Sequence, residues 1–427
     1  MQKIVLTLLV IGQILMATTI EHIDVKGVEV PFIFEEDKRL PLVNVQIVFT
    51  NSGSITDTKK AGLAKFCAKM LNEGTLKDGS SAFADKLESK AIHISASAGE
   101  ETFVLQMSSL KEQVDFGLDY LDELLKDPNY SDEAFSKVKT MTLGSLSAKE
   151  SDFDYVAANG LKALLFHGTV LANPKSGTPQ SVESITLSDV KDFIKEHIVR
   201  SRVIVLAGGD FDVKEMKEKI VAILKNMPAG KATKVKHYSV TQTNREEIIK
   251  KDTKQAYIYF GSPYNISVDD KEYYMARVAT FILGTGGFGS RLMEEIRVKK
   301  GLAYSAYARV EVKNSCSYMS GYLQTKLESM DEAKKSVKEV IATFVKKGVT
   351  QDELEQTKKF LLGSEPLRVE TMSQRLNRTF MDYYKGFEFG HSSKELQLIK
   401  NLKLDALNNF IKKHQEILNL NFAIVTK

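Results

Sequence analysis

The chain has 427 residues, of which 43% are hydrophobic and 27% charged, a composition typical of soluble globular proteins. This length favours two domains over one. With 59 basic and 55 acidic residues, the net charge of +4 gives no reason to expect nucleic acid or an anionic membrane as a partner. Cys67 and Cys316 lie in separate apolar segments, which predicts two buried, unpaired thiols.

The N-terminal segment 1–18 has the pattern of a cleavable export signal. Lys3 precedes an apolar run from Ile4 to Met16, and the small residue Ala17 follows it. The run is too short to span a bilayer, which favours a signal peptide over a membrane anchor. We therefore expect a periplasmic or secreted protein without a membrane span.

Hydrophobic periodicity predicts strands and helices in both halves of the chain. In the segment 43–49, Val43, Val45, Ile47 and Phe49 alternate with Asn44, Gln46 and Val48, as in a strand with one buried face. Tyr257–Phe260 is the counterpart in the second half. Apolar residues at helical spacing in Phe116–Leu125 and Val337–Phe344 predict amphipathic helices. Helices packed against a sheet with one covered face indicate the α+β class.

Two pairs of similar segments indicate an internal duplication. Ser131–Ser145 and Thr350–Ser364 both begin with an N-cap residue followed by acids, and both end in Leu-Gly-Ser. Phe193–His197 and Phe410–His414 both precede a strand-like segment. The members of the two pairs are separated by nearly the same number of residues, which two chance matches would hardly produce.

The duplication places the domain boundaries. Residues 228–244 are rich in Lys, Thr and Gly and lack hydrophobic periodicity, which is typical of a linker. The mature chain is therefore predicted to consist of an N-terminal domain at 19–227 and a C-terminal domain at 245–427.

A glycine-rich segment is the most specific motif of the second half. Gly284, Gly286 and Gly289 have the spacing of a dinucleotide-binding fingerprint. That fingerprint must follow a strand, whereas Met275–Ile282 is apolar at helical spacing, so nucleotide binding is disfavoured. Two interpretations stay open, because glycine suits both: peptide binding through backbone amides, or a tight turn before a helix at Arg291–Lys299.

Residues 60–75 contain Gly-Leu-Ala followed by Met and Gly-Thr, and residues 284–304 join a glycine-rich loop to Gly-Leu-Ala-Tyr. Both segments resemble the pitrilysin (insulinase) metallopeptidases. In that family the frame seen at 60–75 is a helix that carries the inverted zinc motif His-x-x-Glu-His. Gly284–Tyr304 resembles the second-domain signature, in which a glycine-rich loop opens a helix that ends in Arg and Gly-Leu-Ala-Tyr starts the next strand. The resemblance spans nearly the whole mature chain.

The resemblance implies a fold like that of mitochondrial processing peptidase. It consists of two homologous α+β domains that arose by internal duplication. Each domain is a mixed β-sheet covered by helices, and the two close like a clam around a chamber.

The metal-site positions of the family are filled by unsuitable residues. The resemblance places its two His positions at Lys65 and Lys69, the Glu base at Ala68 and the third ligand at Ser145. Zinc requires imidazole, thiolate or carboxylate ligands, so we expect neither a bound metal nor a catalytic residue in this chain alone. Two interpretations of the lysines stay open: a solvated face, or an ammonium group that fills the former metal pit beside an acid.

The resemblance also implies that the substrate-binding residues of the second domain are retained. The positions that match the family motif are Arg297 and Tyr304. In the family, the Arg at this position binds a substrate carbonyl, and the Tyr hydroxyl supports the oxyanion opposite the zinc. The alternative is structural: Arg297 binds the last carbonyls of its own helix and Tyr304 is half-buried in a sheet. The glycines included as candidate peptide contacts are Gly284, Gly286, Gly287 and Gly289.

These expectations lead to one functional hypothesis. The chain is predicted to be the non-catalytic, substrate-binding subunit of an exported heterodimeric zinc peptidase, with the zinc in a sister subunit. The expected partners are that subunit and an extended peptide. A structural scaffold without a proteolytic role is the alternative, and a self-sufficient metallopeptidase is less favoured.

Overall fold

The computed structural model describes residues 18–427. The predicted export signal therefore lies outside the described residues, apart from Thr18. No helix within 18–427 is both long enough and apolar enough to cross a bilayer.

The first half forms one sheet. Its strands are β1 Thr19–Val25, β2 Val28–Glu36, β3 Leu42–Thr50, β4 His93–Ala98, β5 Thr102–Leu110 and β6 Val203–Gly209. Their spatial order is β1-β2-β6-β3-β5-β4. The pair β2–β6 is parallel and the other pairs are antiparallel, so the sheet is mixed, as predicted.

The second half repeats this topology. Its strands are β7 Glu246–Lys250, β8 Gln255–Pro263, β9 Ala303–Val312, β10 Ser317–Lys326 and β11 Asn421–Thr426. Their order, β7-β11-β8-β10-β9, matches β2-β6-β3-β5-β4 strand for strand, and β7–β11 is again the parallel pair. A duplication predicts this match, and β1 is an additional edge strand of the first sheet.

Helices cover both sheets. They are α1 Leu63–Leu71, α2 Gly79–Glu88, α3 Val114–Lys126, α4 Asp132–Lys149, α5 Phe153–Leu165, α6 Pro179–Glu183, α7 Leu187–His197, α8 Val213–Leu224, α9 Tyr273–Thr280, α10 Met330–Lys347, α11 Gln351–Gly363, α12 Met372–Tyr384, α13 His391–Asn401 and α14 Leu404–Lys413. Helical segments of the π type at Phe281–Thr285 and Met293–Lys299 flank the glycine-rich loop. The predicted repeat helices are confirmed as α4 and α11, and Thr350 forms a capping box with Glu353.

Each half lends one helix to the sheet of the other half. In α5, Leu161 and Leu165 pack with Ala423 of β11. In α12, Leu376 packs with Ile33 and Leu206 on the face of the first sheet that is opposite its main core. Because α5 follows α4 and α12 follows α11, the exchange is reciprocal. The expectation that each sheet has a single covered face is therefore wrong.

Two equivalent hairpin turns also join the halves. The turn between β4 and β5 carries Glu100 and Glu101, and the turn between β9 and β10 carries Lys313 and Ser315. Lys313 Nζ lies 3.1 Å from Glu100 Oε1, and the Ser315 N–H donates to Glu101 Oε1 over 2.7 Å. Cys316 follows this turn and, as expected, is a buried free thiol.

Candidate functional site

The start of α1 is fixed by a carboxylate cap and a close loop contact. Asp57 accepts the N–H groups of Gly62 and Ala64, each over 3.0 Å. Gly62 has φ +91°, and a Cβ there would lie 2.7 Å from the carbonyl oxygen of Ser176. Gly177, with φ +77°, would clash with the carbonyl oxygen of Ala61 in the same way. These glycines let the 174–178 loop pack against the first turn of α1.

The two lysines of α1 bind hydroxyl groups. Lys65 Nζ donates to Ser176 Oγ over 3.2 Å, and Lys69 Nζ donates to Thr142 Oγ1 of α4 over 2.9 Å. Both side chains are half-buried, and Ala68 between them is 3% exposed. The family frame is thus preserved as a helix, with ammonium groups and a methyl group in place of ligands and base.

Helix α4 contributes a further cation. Lys149 Nζ lies 3.5 Å from Ser176 Oγ, the atom that Lys65 also binds, and 4.9 Å from the centre of the Tyr155 ring. Thr142, Ser145 and Lys149 lie at helical spacing along one side of α4. Since Thr142 contacts Lys69 and Lys149 approaches Ser176, the exposed Ser145 lies between these two contacts. Sequence reasoning did not identify Thr142, Lys149 or Ser176.

The cluster is electrostatically unfavourable. Burial, followed by the charges of Lys149, Lys175 and Lys69, lowers the pKa of Lys65. Burial and then Lys149 lower the pKa of Lys69. In residues 18–427 no carboxylate forms an ion pair with Lys65, Lys69 or Lys149. The lysines therefore do not fill the former metal pit beside an acid, and that interpretation is wrong. A solvated lysine face stays a prediction, since both side chains are only half-buried.

These residues do not fit a zinc ion. Zinc sites use imidazole, thiolate or carboxylate donors, whereas Lys65, Ala68, Lys69 and Ser145 supply two ammonium groups, a methyl group and a hydroxyl. Elsewhere in the described chain, His, Cys, Asp and Glu side chains likewise form no group of three that could hold a metal. No step of a reaction in this chain is therefore assigned to a metal of its own.

Arg297 and Tyr304 come together in the second half. The Arg297 guanidinium lies between the rings of Phe288 and Tyr304, at 4.5 and 4.4 Å from their centres. Tyr304 is 82% exposed and Phe288 is 64% exposed. Among residues 18–427 no side chain or carbonyl forms a hydrogen bond or ion pair with this guanidinium. The structural alternative, with a half-buried Tyr304, is therefore wrong.

The glycines before this pair have separate roles. A Cβ on Gly284 would lie 2.3 Å from the backbone nitrogen of Ala308 in β9, so Gly284 permits close packing. Gly286 would clash with a carbonyl of the preceding turn, and Gly287 has φ +63°. Gly289 faces open space. Because α9 and a π-type turn precede the loop, the dinucleotide interpretation is wrong.

Comparison with known sequences identifies the family. The model described as Insulinase (Peptidase family M16) matches residues 32–178, and the Peptidase M16 inactive domain matches residues 184–361. The Helicobacter pylori protein named Non-peptidase homolog YmxG is 41% identical over the whole of this chain and 99% of its own length. The chain belongs to the M16 peptidase family. This confirms the resemblance drawn from residues 60–75 and 284–304.

A further relative and a solved structure are also similar to this chain. Mitochondrial-processing peptidase subunit beta of Dictyostelium discoideum is 23% identical over 57% of this chain and 53% of its own length. The crystal structure of a peptidase M16 inactive domain from Pseudomonas fluorescens superposes with a TM-score of 0.86 at 22% identity, over 95% of this chain and 98% of that one. With zinc donors and base replaced, this chain is a non-catalytic M16 member.

Proposed function

We propose that this M16 protein is the substrate-binding subunit of an exported heterodimeric zinc peptidase. The observation that carries the proposal is the exposed pair Arg297–Tyr304, whose polar groups have no partner among residues 18–427 although the rings of Phe288 and Tyr304 hold the guanidinium in place. A protein that served only as a scaffold would have no need of such a pair.

Each member of the pair has a defined role in this proposal. The planar Arg297 guanidinium donates hydrogen bonds to a carbonyl of the bound peptide and fixes its position. The Tyr304 hydroxyl donates to the oxygen that gains negative charge when that peptide is attacked. The sister subunit supplies the zinc and the base that activate water.

The peptide is proposed to bind in an extended conformation along a sheet edge. The strands β4 and β9 are edge strands at equivalent positions of the two sheets. On β4, the side-chain amide of Asn72 already binds the N–H and C=O of Ala96, over 2.7 and 3.0 Å. Strand β9 begins at Ala303, so Tyr304 is its second residue. The first residues of β9 are therefore the better place for a peptide to pair with the sheet edge.

Other parts of the proposal rest on sequence and on relatives. The Dictyostelium relative is named as a subunit and the Helicobacter relative as a non-peptidase. Both names are compatible with a chain that acts together with a catalytic subunit. Export rests on the signal pattern of residues 1–18. The domains are proposed at 19–227 and 245–427, with 228–244 as the connection, and that segment contains neither helix nor strand.

The test mixes the purified chain with a sister M16 subunit that has an intact His-x-x-Glu-His motif and follows cleavage of a quenched peptide. Tyr304→Phe should lower the rate about 100-fold, as loss of an oxyanion donor does. Tyr120→Phe on α3, which removes a hydroxyl from the first half of the chain, should leave the rate unchanged. Full activity of Tyr304→Phe would favour a scaffold role. Chelator-sensitive cleavage by the isolated chain would refute the proposal.

A further inference from the structure

The lysines of the former metal region converge on a small polar area. Lys65 and Lys149, from different helices, both approach Ser176 Oγ, while Lys69 binds Thr142 Oγ1. Between the lysines, α1 carries the small residue Ala68 and α4 carries the small, exposed Ser145. Three ammonium groups therefore share two neutral hydroxyl acceptors.

A second lysine cluster, at the contact between the two halves, shows what such a convergence can hold. Lys162, Lys175 and Lys313 surround the Glu100 carboxylate, whose side chain is 5% exposed. Burial alone would raise the pKa of Glu100, but these three lysines lower it to about 2. At the Glu100 cluster the carboxylate comes from the chain itself. At Lys65, Lys69 and Lys149 no residue in 18–427 supplies one.

We propose that Lys65, Lys69 and Lys149, with the hydroxyls of Thr142 and Ser176, bind the carboxylate of an acidic side chain in the peptide. The inference rests on the proposed function, because the peptide is the ligand that this chain is proposed to hold. It deepens that function by naming the substrate class: extended peptides with Asp or Glu.

The chemistry of the cluster favours an anion over a neutral group. A carboxylate accepts several charge-assisted hydrogen bonds at once, as two or three converging ammonium groups require. Its charge would also offset the mutual repulsion that, together with burial, lowers the pKa of Lys65. An uncharged amide of the same shape has only one accepting oxygen and brings no charge to offset the repulsion. Discrimination between Glu and Gln is therefore the signature of the site.

The test measures peptide binding to the full chain by calorimetry. Two synthetic peptides with blocked ends differ only at one central residue, Glu in one and Gln in the other. The Glu peptide should bind roughly tenfold more tightly at low ionic strength, and added salt should reduce this advantage. Equal affinity for the two peptides would overturn the inference.

Matched variants locate the effect. Lys65→Gln combined with Lys69→Gln should abolish the Glu advantage while binding of the Gln peptide persists. Lys346→Gln combined with Lys347→Gln, at exposed positions of α10, changes the net charge equally and should preserve it. If the first pair does not fold, Lys149→Gln on α4 replaces it. An advantage that persists in the folded lysine variants would overturn the inference.

A further arm separates a peptide from a free anion. Inorganic phosphate should compete with the Glu peptide and not with the Gln peptide. Lysine-dependent phosphate binding without any preference for the Glu peptide would assign the site to small anions and overturn the peptide assignment.

The proposed function and the present inference can be refuted independently of each other. If Tyr304→Phe stops cleavage by the complex but Glu and Gln peptides bind equally, only the present inference is wrong. If the lysines select the Glu peptide while the complex retains full activity without the Tyr304 hydroxyl, the inference stands and the proposed function is wrong.

Discussion

The α1–α4 region and the Arg297–Tyr304 pair place cations in opposite environments. Lys65 and Lys69 are half-buried, bound to hydroxyls and repelled by other lysines. Arg297 lies between two exposed aromatic rings with no competing charge in contact. The first region has kept the helix of the family but has lost the metal ligands and the base. The second region exposes the polar groups of Arg297 and Tyr304 to solvent. The frame survives because buried residues such as Phe66 hold α1 in place, and these do not depend on the site.

Restoring the zinc-binding residues of the family on α1 and α4 would test the contrast between the two regions most directly. We expect the combined variant Lys65→His, Ala68→Glu, Lys69→His and Ser145→Glu to bind zinc stoichiometrically, because the α1 frame is intact and Ser145 lies between the two α4 contacts of the lysines. Metal analysis after dialysis measures the gain. The same variant with Ser145 retained should bind zinc more weakly. A folded combined variant without zinc would show that the helices no longer have ligand spacing.

Removing Glu100 would show what lysines do without a carboxylate. Glu100→Gln leaves Lys162 and Lys175 without an acid and Lys313 with Glu311 alone at the contact between the halves, so the free energy of unfolding should fall by about 2 kcal/mol. Denaturant unfolding measures this change. Glu388→Gln removes an acid that is paired but exposed and should have almost no effect. Equal stability of Glu100→Gln and wild type would show that the Glu100 carboxylate does not stabilise the lysines around it.

The same carboxylate predicts an acid-dependent loss of stability. Lysines 162, 313 and 175 outweigh burial and hold the pKa of Glu100 at about 2 in the folded state, against an ordinary value of 4.5. Between these values the unfolded chain binds the proton more readily, so stability falls as the pH falls. Unfolding curves from pH 5 to 2 should show a smaller pH dependence in Glu100→Gln than in wild type.

Arg297→Lys would sharpen the comparison by putting an ammonium group where a stacked guanidinium lies. A lysine cannot stack as a plane between Phe288 and Tyr304 or offer a fixed set of donors. We expect cleavage by the complex to slow about tenfold, equivalent to about 1.4 kcal/mol, with unchanged thermal stability. Arg309→Lys, on the same strand as Tyr304 but in an ion pair with Glu311, is the control. An unaffected rate would argue against a peptide contact by Arg297.

Lys69→Gln should have the smallest effect. It removes a half-buried ammonium that Lys149 repels, so the free energy of unfolding near neutral pH should rise by a few tenths of a kcal/mol, roughly the value of a like-charge pair on a helix. Because the pKa of Lys69 is lowered on folding, wild-type stability should rise toward alkaline pH, and the variant should show less of this rise. Lys346→Gln should change neither quantity. A loss of stability in Lys69→Gln would show that its bond to Thr142 outweighs repulsion.

Local patterns predicted much of the fold. The cap at Thr350, the alternation in Val43–Phe49 and the paired segments of the duplication all recur in the structure. The alternation could not show that Val48, on the opposite face of β3, is also buried, because α12 reaches it from more than 300 residues away. At the site, residue identity alone excluded zinc at Lys65 and Lys69. It could not show which groups these lysines bind.

The sequence by itself determined the family, the missing metal donors, the internal duplication and the presence of Arg297 and Tyr304. These are properties of residue type and of spacing along the chain. The tertiary structure alone decided the exchange of α5 and α12, the aromatic stacking of Arg297 and the convergence of Lys65 and Lys149 on Ser176. These depend on distances between segments far apart in sequence, and chain packing, not local periodicity, sets those distances.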